Sequence, residues 1–299
     1  MSLRCGDGDL IMKKIIFIFL LIVTVQNTYG SNKAKVRIVT LSPSLTEIVW
    51  DILPKNKKSA LVGVSSFSDF PKSVKKITKV GSYIEPKLEK IVSLKPTLVL
   101  STKRGNPKGK IEKLISMGLN VKVTHIKNLQ DLIEIYKKIG QWIGEKDIAI
   151  KKSEKIMAAS QEIAASAKSI QSNIKVYYQL GHKPAYTINS ETFTSHLLEL
   201  AGGKNIFEKS ATRYPKPKTE VILSRNPDII FISDFSNKNS KKKEIKRFWK
   251  NLESTKTSFN DQIHIVDSSL TDRIGPRSIE ALKYFHEKIK ILANSRGRN

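Results

Sequence analysis

The sequence predicts an α/β protein of two doubly wound, Rossmann-like lobes joined by a single long helix. Three observations carry this prediction. Short apolar runs typical of buried strands alternate with longer stretches of helical periodicity. The stretch from Glu145 to about Asn173 contains neither Gly nor Pro, and one segment of the first half of the chain recurs in the second half. Strands that alternate with helices indicate a mostly parallel sheet with helices on its faces.

The first half of the chain predicts one such lobe, at 31–144. Val36–Leu41 is the first expected strand, and Ser42 and Pro43 suit the N-cap and first position of a helix that ends near Leu53. The remaining strands expected here are Ala60–Ser65, Thr97–Ser101 and Leu119–Thr124, and the remaining helices are Ile111–Met117 and Leu129–Ile143.

A linking helix is expected at 145–173, and a second lobe at 174–299. The Gly- and Pro-free stretch is rich in Ala and Lys and carries an apolar stripe that includes Ile156 and Ile163. Strands then resume. The expected strands of the second lobe are Lys175–Leu180, Asp228–Ser233 and Ile263–Val266, and its expected helices are Phe193–Leu200, Lys218–Ser224, Lys242–Asn251 and Arg277–Leu292.

An internal repeat supports the division into two lobes. The segment Tyr83–Leu100 aligns without a gap with Tyr214–Phe231, and Tyr, Pro, Lys, Glu, Ile, Ser and Pro coincide. Each copy predicts an aromatic residue in a loop, a short helix opened by Pro, a tight turn and a buried strand. The alternative is that Pro-x-x-Glu is merely a common helix start, but the match over the whole stretch argues against it.

Glu89 and Glu220 occupy equivalent positions in this repeat. Two such carboxylates could bind two arginines of a symmetric partner. They could also serve only the dipole at the start of each short helix, and the two roles are compatible.

The chain is strongly basic, with 53 basic and 27 acidic residues and a formal net charge of +26. Such a charge is compatible with nucleic-acid binding. However, the lysines are spread along the whole chain, arginine is scarce, and no nucleic-acid-binding motif is present. We therefore expect a solvated Lys-rich surface and no nucleic-acid partner, while weak attraction to anionic lipid headgroups stays open.

The N-terminal 30 residues have the plan of a secretory signal peptide. Lys13 and Lys14 precede the apolar run Ile15–Val25, and small residues stand at the −3 and −1 positions of a cut after Gly30. The run is shorter than the roughly 20 apolar residues of a spanning helix, which is the alternative. Met12 is a possible true start. With a cleaved signal peptide, the protein is expected to be periplasmic. The only cysteine, Cys5, precedes the apolar run, so the exported chain is expected to contain no disulfide and no thiolate.

The sequence carries no recognised enzyme motif. It lacks G-x-G-x-x-G, a P-loop, H-E-x-x-H and G-x-S-x-G, and its five histidines show no metal-ligand spacing. We expect a protein without catalytic residues, metal site or catalytic cofactor. Instead, aromatic residues stand in loops near the ends of expected strands, where open α/β sheets bind ligands and where flat rings suit a broad planar ligand. These residues, with one arginine, are Phe67, Phe70, Tyr83, Tyr186, Tyr214 and Arg273.

Six segments, spread over nearly the whole exported chain, match a known family: IVTLSPSLTE at 38–47, VGVSSFSDFP at 62–71, VGSY at 80–83, Leu88–Leu100, LELAGGKNIF at 198–207 and GPR at 275–277. With these segments the chain resembles the periplasmic cobalamin-binding proteins of ABC importers, within a wider group that also serves haem and ferric siderophores.

The resemblance implies a function and a set of site residues. The chain would bind a corrinoid such as cobalamin between its lobes, as cargo and not as a cofactor, and deliver it to an inner-membrane permease, acting as a monomer. Glu89 and Glu220 match the glutamates that dock on the permease. The implied ligand-binding residues are Tyr83, Tyr214, Tyr186, Phe70, Arg273 and Ser269.

The sequence departs from the cobalamin binders at three places. Both site tryptophans are Tyr (Tyr83 and Tyr214), a further aromatic is replaced near Thr102, and an acidic site residue is Ser269. Since tyrosine also ligates haem iron, a haem or ferric-siderophore binder is the first alternative. A secreted α/β enzyme is the second, and it would require a catalytic constellation that the sequence does not display.

Overall fold

The structure is a computed structural model that describes residues 36–170, 173–234, 239–252 and 262–296. The expected signal peptide, Cys5 and Met12 lie outside these ranges. No helix in the described ranges combines the length and apolar character needed to cross a bilayer.

Two separate parallel sheets form the frame of the molecule, as the sequence predicts. The N-terminal sheet has the order β3-β2-β1-β4-β5, and the C-terminal sheet has the order β7-β6-β8-β9. We call each sheet with its flanking helices the first and the second lobe. The strands are β1 (Ile38–Thr40), β2 (Leu61–Val64), β3 (Thr78–Lys79), β4 (Leu98–Thr102), β5 (Val121–Thr124), β6 (Ile174–Leu180), β7 (Gly203–Asn205), β8 (Ile229–Asp234) and β9 (Ile263–Asp267).

Helices follow most strands and cover the sheets. Ser42 caps the first helix by accepting a hydrogen bond from the Leu45 amide, with Pro43 in its first turn, as predicted. The described helices are α1 (Pro43–Ile52), α2 (Leu88–Ser93), α3 (Lys108–Ser116), α4 (Leu129–Ile143), α5 (Lys146–Lys168), α6 (Phe193–Leu200), α7 (Thr219–Ser224), α8 (Asn239–Leu252), α9 (Ser268–Thr271) and α10 (Ser278–Arg296).

The internal repeat is also a structural repeat. The helices α2 and α7 occupy equivalent positions in the aligned segments, and so do the starts of β4 and β8. The turns between helix and strand match as well, because Lys95 and Asn226, again equivalent, have positive φ angles of 45° and 49°. Ile91 and Ile222 point into the separate cores of the two lobes. One supersecondary unit therefore serves both lobes.

The long helix α5 lies in sequence between the lobes and is shorter than expected. It ends at Lys168 and not near Asn173, because the Ile170 amide closes a tight turn on the Ala167 carbonyl (3.1 Å). It packs on α4 of the first lobe and on α6 and α10 of the second. Gly140 permits the close approach of α4, since a Cβ there would lie 2.2 Å from the Ala149 Cβ. The lobe boundaries at 144 and 174 stay predictions.

Candidate functional site

A cavity of about 800 Å³ opens at the carboxyl ends of strands in both lobes. The first lobe lines it with the start of α1, with Phe67 after β2, and with residues that follow β4 and β5. The second lobe contributes the loop before α7 and the loop after α9. Open α/β sheets bind ligands at this edge. The volume lies in the upper part of the range of about 300–1,000 Å³ that is typical of small-molecule sites.

Tyr83 lines the cavity from the first lobe and is held in place by the loop that follows β4. Its hydroxyl donates to the Arg104 carbonyl, and the Asn106 amide donates to the Tyr83 carbonyl (2.7 Å). The ring lies against Gly105, where a Cβ would be only 1.7 Å from the ring carbon Cζ. A side chain at this position would therefore displace the ring.

Thr102, near the expected site of a lost aromatic, also lines the cavity. Its hydroxyl lies 3.3 Å from the Tyr83 hydroxyl. A small polar side chain at this position leaves room beside the ring.

Tyr214 lines the same cavity from the second lobe, so the structure brings the two equivalent tyrosines of the repeat together. Its side chain is 51% exposed. The neighbouring Arg213 also lines the cavity, and its guanidinium carbon lies 5.3 Å from the centroid of the Tyr214 ring. One flat ring from each lobe thus lines the cavity.

Arg273 and Asp272 form part of the second-lobe wall. The Asp272 carboxylate accepts hydrogen bonds from the hydroxyls of Tyr178 (2.7 Å) and Ser233. Burial raises the pKa of Asp272 above its usual range, although these hydrogen bonds oppose the shift. The first-lobe wall includes His125, whose pKa is lowered by burial and by nearby Arg104, so its imidazole is neutral at neutral pH.

Four charged side chains join the lobes at this wall, and we call them the Glu47 cluster: Glu47, Asp69, Arg273 and Arg277. Arg277 donates two hydrogen bonds to the Glu47 carboxylate, from Nε (2.9 Å) and Nη2 (2.7 Å). Arg273 pairs with Asp69 and lies 3.6 Å from Glu47 Oε1. Glu47 belongs to α1, and both arginines follow α9, so the cluster links the first lobe to the second.

The pKa values agree with this pairing. Burial acts against the charge of Arg277, but its hydrogen bonds to Glu47 outweigh burial and raise its pKa. Burial likewise opposes the charge of Asp69, but hydrogen bonding and attraction to Arg273 lower its pKa. The pKa shifts of Arg277 and Asp69 therefore both favour the charged forms that these two ion pairs require.

Three expected ligand-binding residues lie outside the set that lines the cavity. The ring of Phe70 lies 4.0 Å below the Arg277 guanidinium. The Ser269 carbonyl accepts from the same arginine (2.8 Å). Tyr186 pairs its backbone with Leu180 and leaves its side chain 39% exposed. Their roles in ligand binding stay predictions.

Glu89 and Glu220 lie in the first turns of α2 and α7, are both exposed, and do not line the cavity. Within the described ranges, neither carboxylate is placed in an ion pair. They are equivalent in the structural repeat, and their docking role stays a prediction.

The described residues hold no group of three or more His, Cys, Asp and Glu side chains that could bind a metal ion. Three residues that line the cavity, Arg104, Arg213 and His125, were not predicted from the sequence. The contact of Glu47 with Arg277 between the lobes was not predicted either. One sequence signal was available for Glu47, which is an acid directly before the apolar residues Ile48 and Val49 in α1. Its partner Arg277 lies 230 residues further along the chain, so the sequence alone could not predict this ion pair.

Comparisons with known proteins agree with this architecture. The profile of the periplasmic binding protein family matches residues 38–268. A vitamin B12-binding protein of Vibrio campbellii is 30% identical over 222 residues, which make up 74% of this chain and 78% of that protein.

Two solved structures share the fold. The periplasmic vitamin B12 binding protein BtuF of Vibrio cholerae has a TM-score of 0.76 at 26% identity, over 86% of this chain and 97% of that one. The periplasmic heme binding protein HutB of Vibrio cholerae has a TM-score of 0.74 at 21% identity, over 86% and 99%.

Proposed function

Since the chain belongs to the periplasmic binding protein family, we propose that it captures a corrinoid in the cavity between its lobes and delivers it to an ABC importer. The observation that carries this proposal is the pair Tyr83 and Tyr214. They are equivalent in the repeat, come from different lobes, and face one cavity of about 800 Å³. Flat rings on two walls suit a broad macrocycle. The vitamin B12-binding relatives support the corrinoid in particular.

Haem is the second candidate, and a specific feature favours it. Both rings that face the cavity are phenols, and a tyrosinate can ligate haem iron. The structural likeness to heme-binding proteins is compatible with this ligand. The two candidates differ spectroscopically, because ligation by tyrosinate changes the absorption of haem.

A calorimetric titration with cyanocobalamin, haemin and a ferric siderophore tests the proposal. We expect saturable binding of one cyanocobalamin per chain and weaker binding of the other two. Absorption spectra recorded in parallel identify any iron–tyrosinate bond. Absence of heat with cyanocobalamin, together with haemin binding and a tyrosinate spectrum, would replace the corrinoid by haem.

We further propose that Glu89 and Glu220 bind arginines of a two-fold symmetric permease in the inner membrane. Their equivalent first-turn positions and their exposure support this role. A buried charged contact that loses one partner costs about 2–5 kcal/mol, so removal of both carboxylates should prevent docking. The helix-dipole role alone predicts no effect on transport.

The test is uptake of labelled cyanocobalamin by cells that carry the matching importer. The double variant Glu89→Ala with Glu220→Ala should bind cyanocobalamin normally and fail to support uptake. The matched control, Glu112→Ala with Glu287→Ala, removes two carboxylates that are each 60% exposed and form surface pairs with lysines. Normal uptake with the first double variant would leave only the helix-dipole role.

A further inference from the structure

The cationic side chains that line the cavity differ in type from those of the chain as a whole. The chain contains 43 lysines and ten arginines. Three of those arginines, Arg104, Arg213 and Arg273, line the cavity, whereas no described lysine does. The guanidinium group is planar, permanently charged and able to donate two parallel hydrogen bonds to a carboxylate or phosphate, which an ammonium group cannot do. The cations that line the cavity are therefore of the type that binds oxyanions best.

One of the three arginines is already neutralised by the protein. Arg273 pairs with Asp69 and lies 3.6 Å from the buried carboxylate of Glu47. The carboxyl group of Asp272, also in the wall, is bound by the hydroxyls of Tyr178 and Ser233. His125 contributes no charge at neutral pH, because its pKa is lowered.

Arg104 and Arg213 are left without a strong partner. Arg104 Nη2 lies 3.8 Å from Glu191 Oε2, and the two side chains are 41% and 62% exposed, so this pair contributes little. The described carboxylates place no ion pair on Arg213, whose guanidinium lies beside the Tyr214 ring. Arg104 belongs to the first lobe and Arg213 to the second, each close to one of the two tyrosines.

We propose that the ligand carries an oxyanion, a phosphodiester or a carboxylate, held between Arg104 and Arg213. This inference rests on the proposed function, since it concerns the same cavity. Cobalamin carries one phosphodiester beside its neutral amide side chains, and haem carries two carboxylates. The ring system lies on the tyrosines, and the oxyanion fixes its orientation by binding a guanidinium of each lobe.

The test compares two corrinoids that differ in the oxyanion. Cyanocobalamin has the phosphodiester, whereas dicyanocobinamide lacks the nucleotide loop that contains it. The double variant Arg104→Gln with Arg213→Gln should bind cyanocobalamin at least about tenfold more weakly than the unaltered protein, because hydrogen bonds to a charged group are lost. The affinity of the same double variant for dicyanocobinamide should change by less than about twofold, because this corrinoid has no phosphodiester to lose. Haemin is titrated in parallel as the carboxylate ligand.

Arg247→Gln is the matched control, because it removes an exposed arginine of α8 that does not line the cavity. It should leave all affinities unchanged. Loss of haemin affinity alone would assign the oxyanion to the carboxylates of haem. Unchanged affinity of the double variant for every ligand that the unaltered protein binds would overturn the inference and leave the proposed function intact. If the unaltered protein binds none of the three, the proposed function fails, and the inference fails with it.

Discussion

Replacement of Glu47 by Gln should destabilise the protein more than any single change on its charged surface. Glu47 is 3% exposed, and its main partner Arg277 is 12% exposed, so both charges are largely removed from water. Loss of one member of a buried pair costs about 3–5 kcal/mol, because the other charge is left without compensation. Arg273 keeps Asp69, and the amide oxygen of the introduced glutamine can still accept one hydrogen bond. We therefore expect the lower end of that range, about 3 kcal/mol.

Differential scanning calorimetry measures this loss. For a protein of this size, about 3 kcal/mol corresponds to a fall in Tm of roughly 5–6 °C. The control is Glu134→Gln, which breaks a pair with Lys137 in which both side chains are 45% exposed and should change stability by less than about 1 kcal/mol. Adding Arg277→Gln to Glu47→Gln should cost less than the two single losses combined, because the residues interact directly. Equal Tm shifts for Glu47→Gln and Glu134→Gln would refute the view that the Glu47 cluster stabilises the fold.

Two further predictions concern the ligand cavity and its closure. Gly105→Ala should displace the Tyr83 ring, because the added Cβ would overlap the ring and the backbone has a φ of +140°. Loss of this aromatic contact should weaken cyanocobalamin binding by roughly tenfold. Gly109→Ala, in α3 with nothing within 4 Å of the added Cβ, should leave binding unchanged, and equal binding by both variants would contradict the packing argument. Lobe closure should be small, because α5 offers no Gly or Pro hinge and the Glu47 cluster ties the lobes. Small-angle X-ray scattering with and without ligand measures this closure, and a large drop in the radius of gyration on ligand addition would contradict the prediction.

Most of the fold could be predicted because its signals are local. The bounds of α4 and α6 match the predicted helices residue for residue, since each begins at a polar cap, Asn128 or Thr192, and carries a clear apolar stripe. The repeat predicted the common register of α2 and α7. The short strands β3 and β7 were missed because two or three residues of mixed polarity give no periodic signal.

The candidate site was predictable only in part, for a physical reason. Tyr83, Tyr214 and Arg273 stand in loops after or before recognisable elements, so their place at the sheet edge followed from topology. Arg104 and Arg213 have the same kind of position, but in a chain with 53 basic residues a single arginine carries no signal. Only the three-dimensional arrangement reveals that three arginines, and no lysine of the described ranges, line the cavity. The pairing of Glu47 with Arg277 likewise depends on how the two lobes meet.

The most direct test of the central claim is the affinity of Tyr83→Ala, Tyr214→Ala and the double variant for cyanocobalamin, measured by titration calorimetry. Each buried aromatic contact with the macrocycle should contribute on the order of 1–3 kcal/mol, so each single variant should bind at least several-fold more weakly, and the double variant weaker still. Circular dichroism spectra and Tm values of the variants serve as the control for folding. Affinities equal to that of the unaltered protein in all three variants would contradict the account, because the corrinoid would then bind outside the cavity that the two tyrosines face.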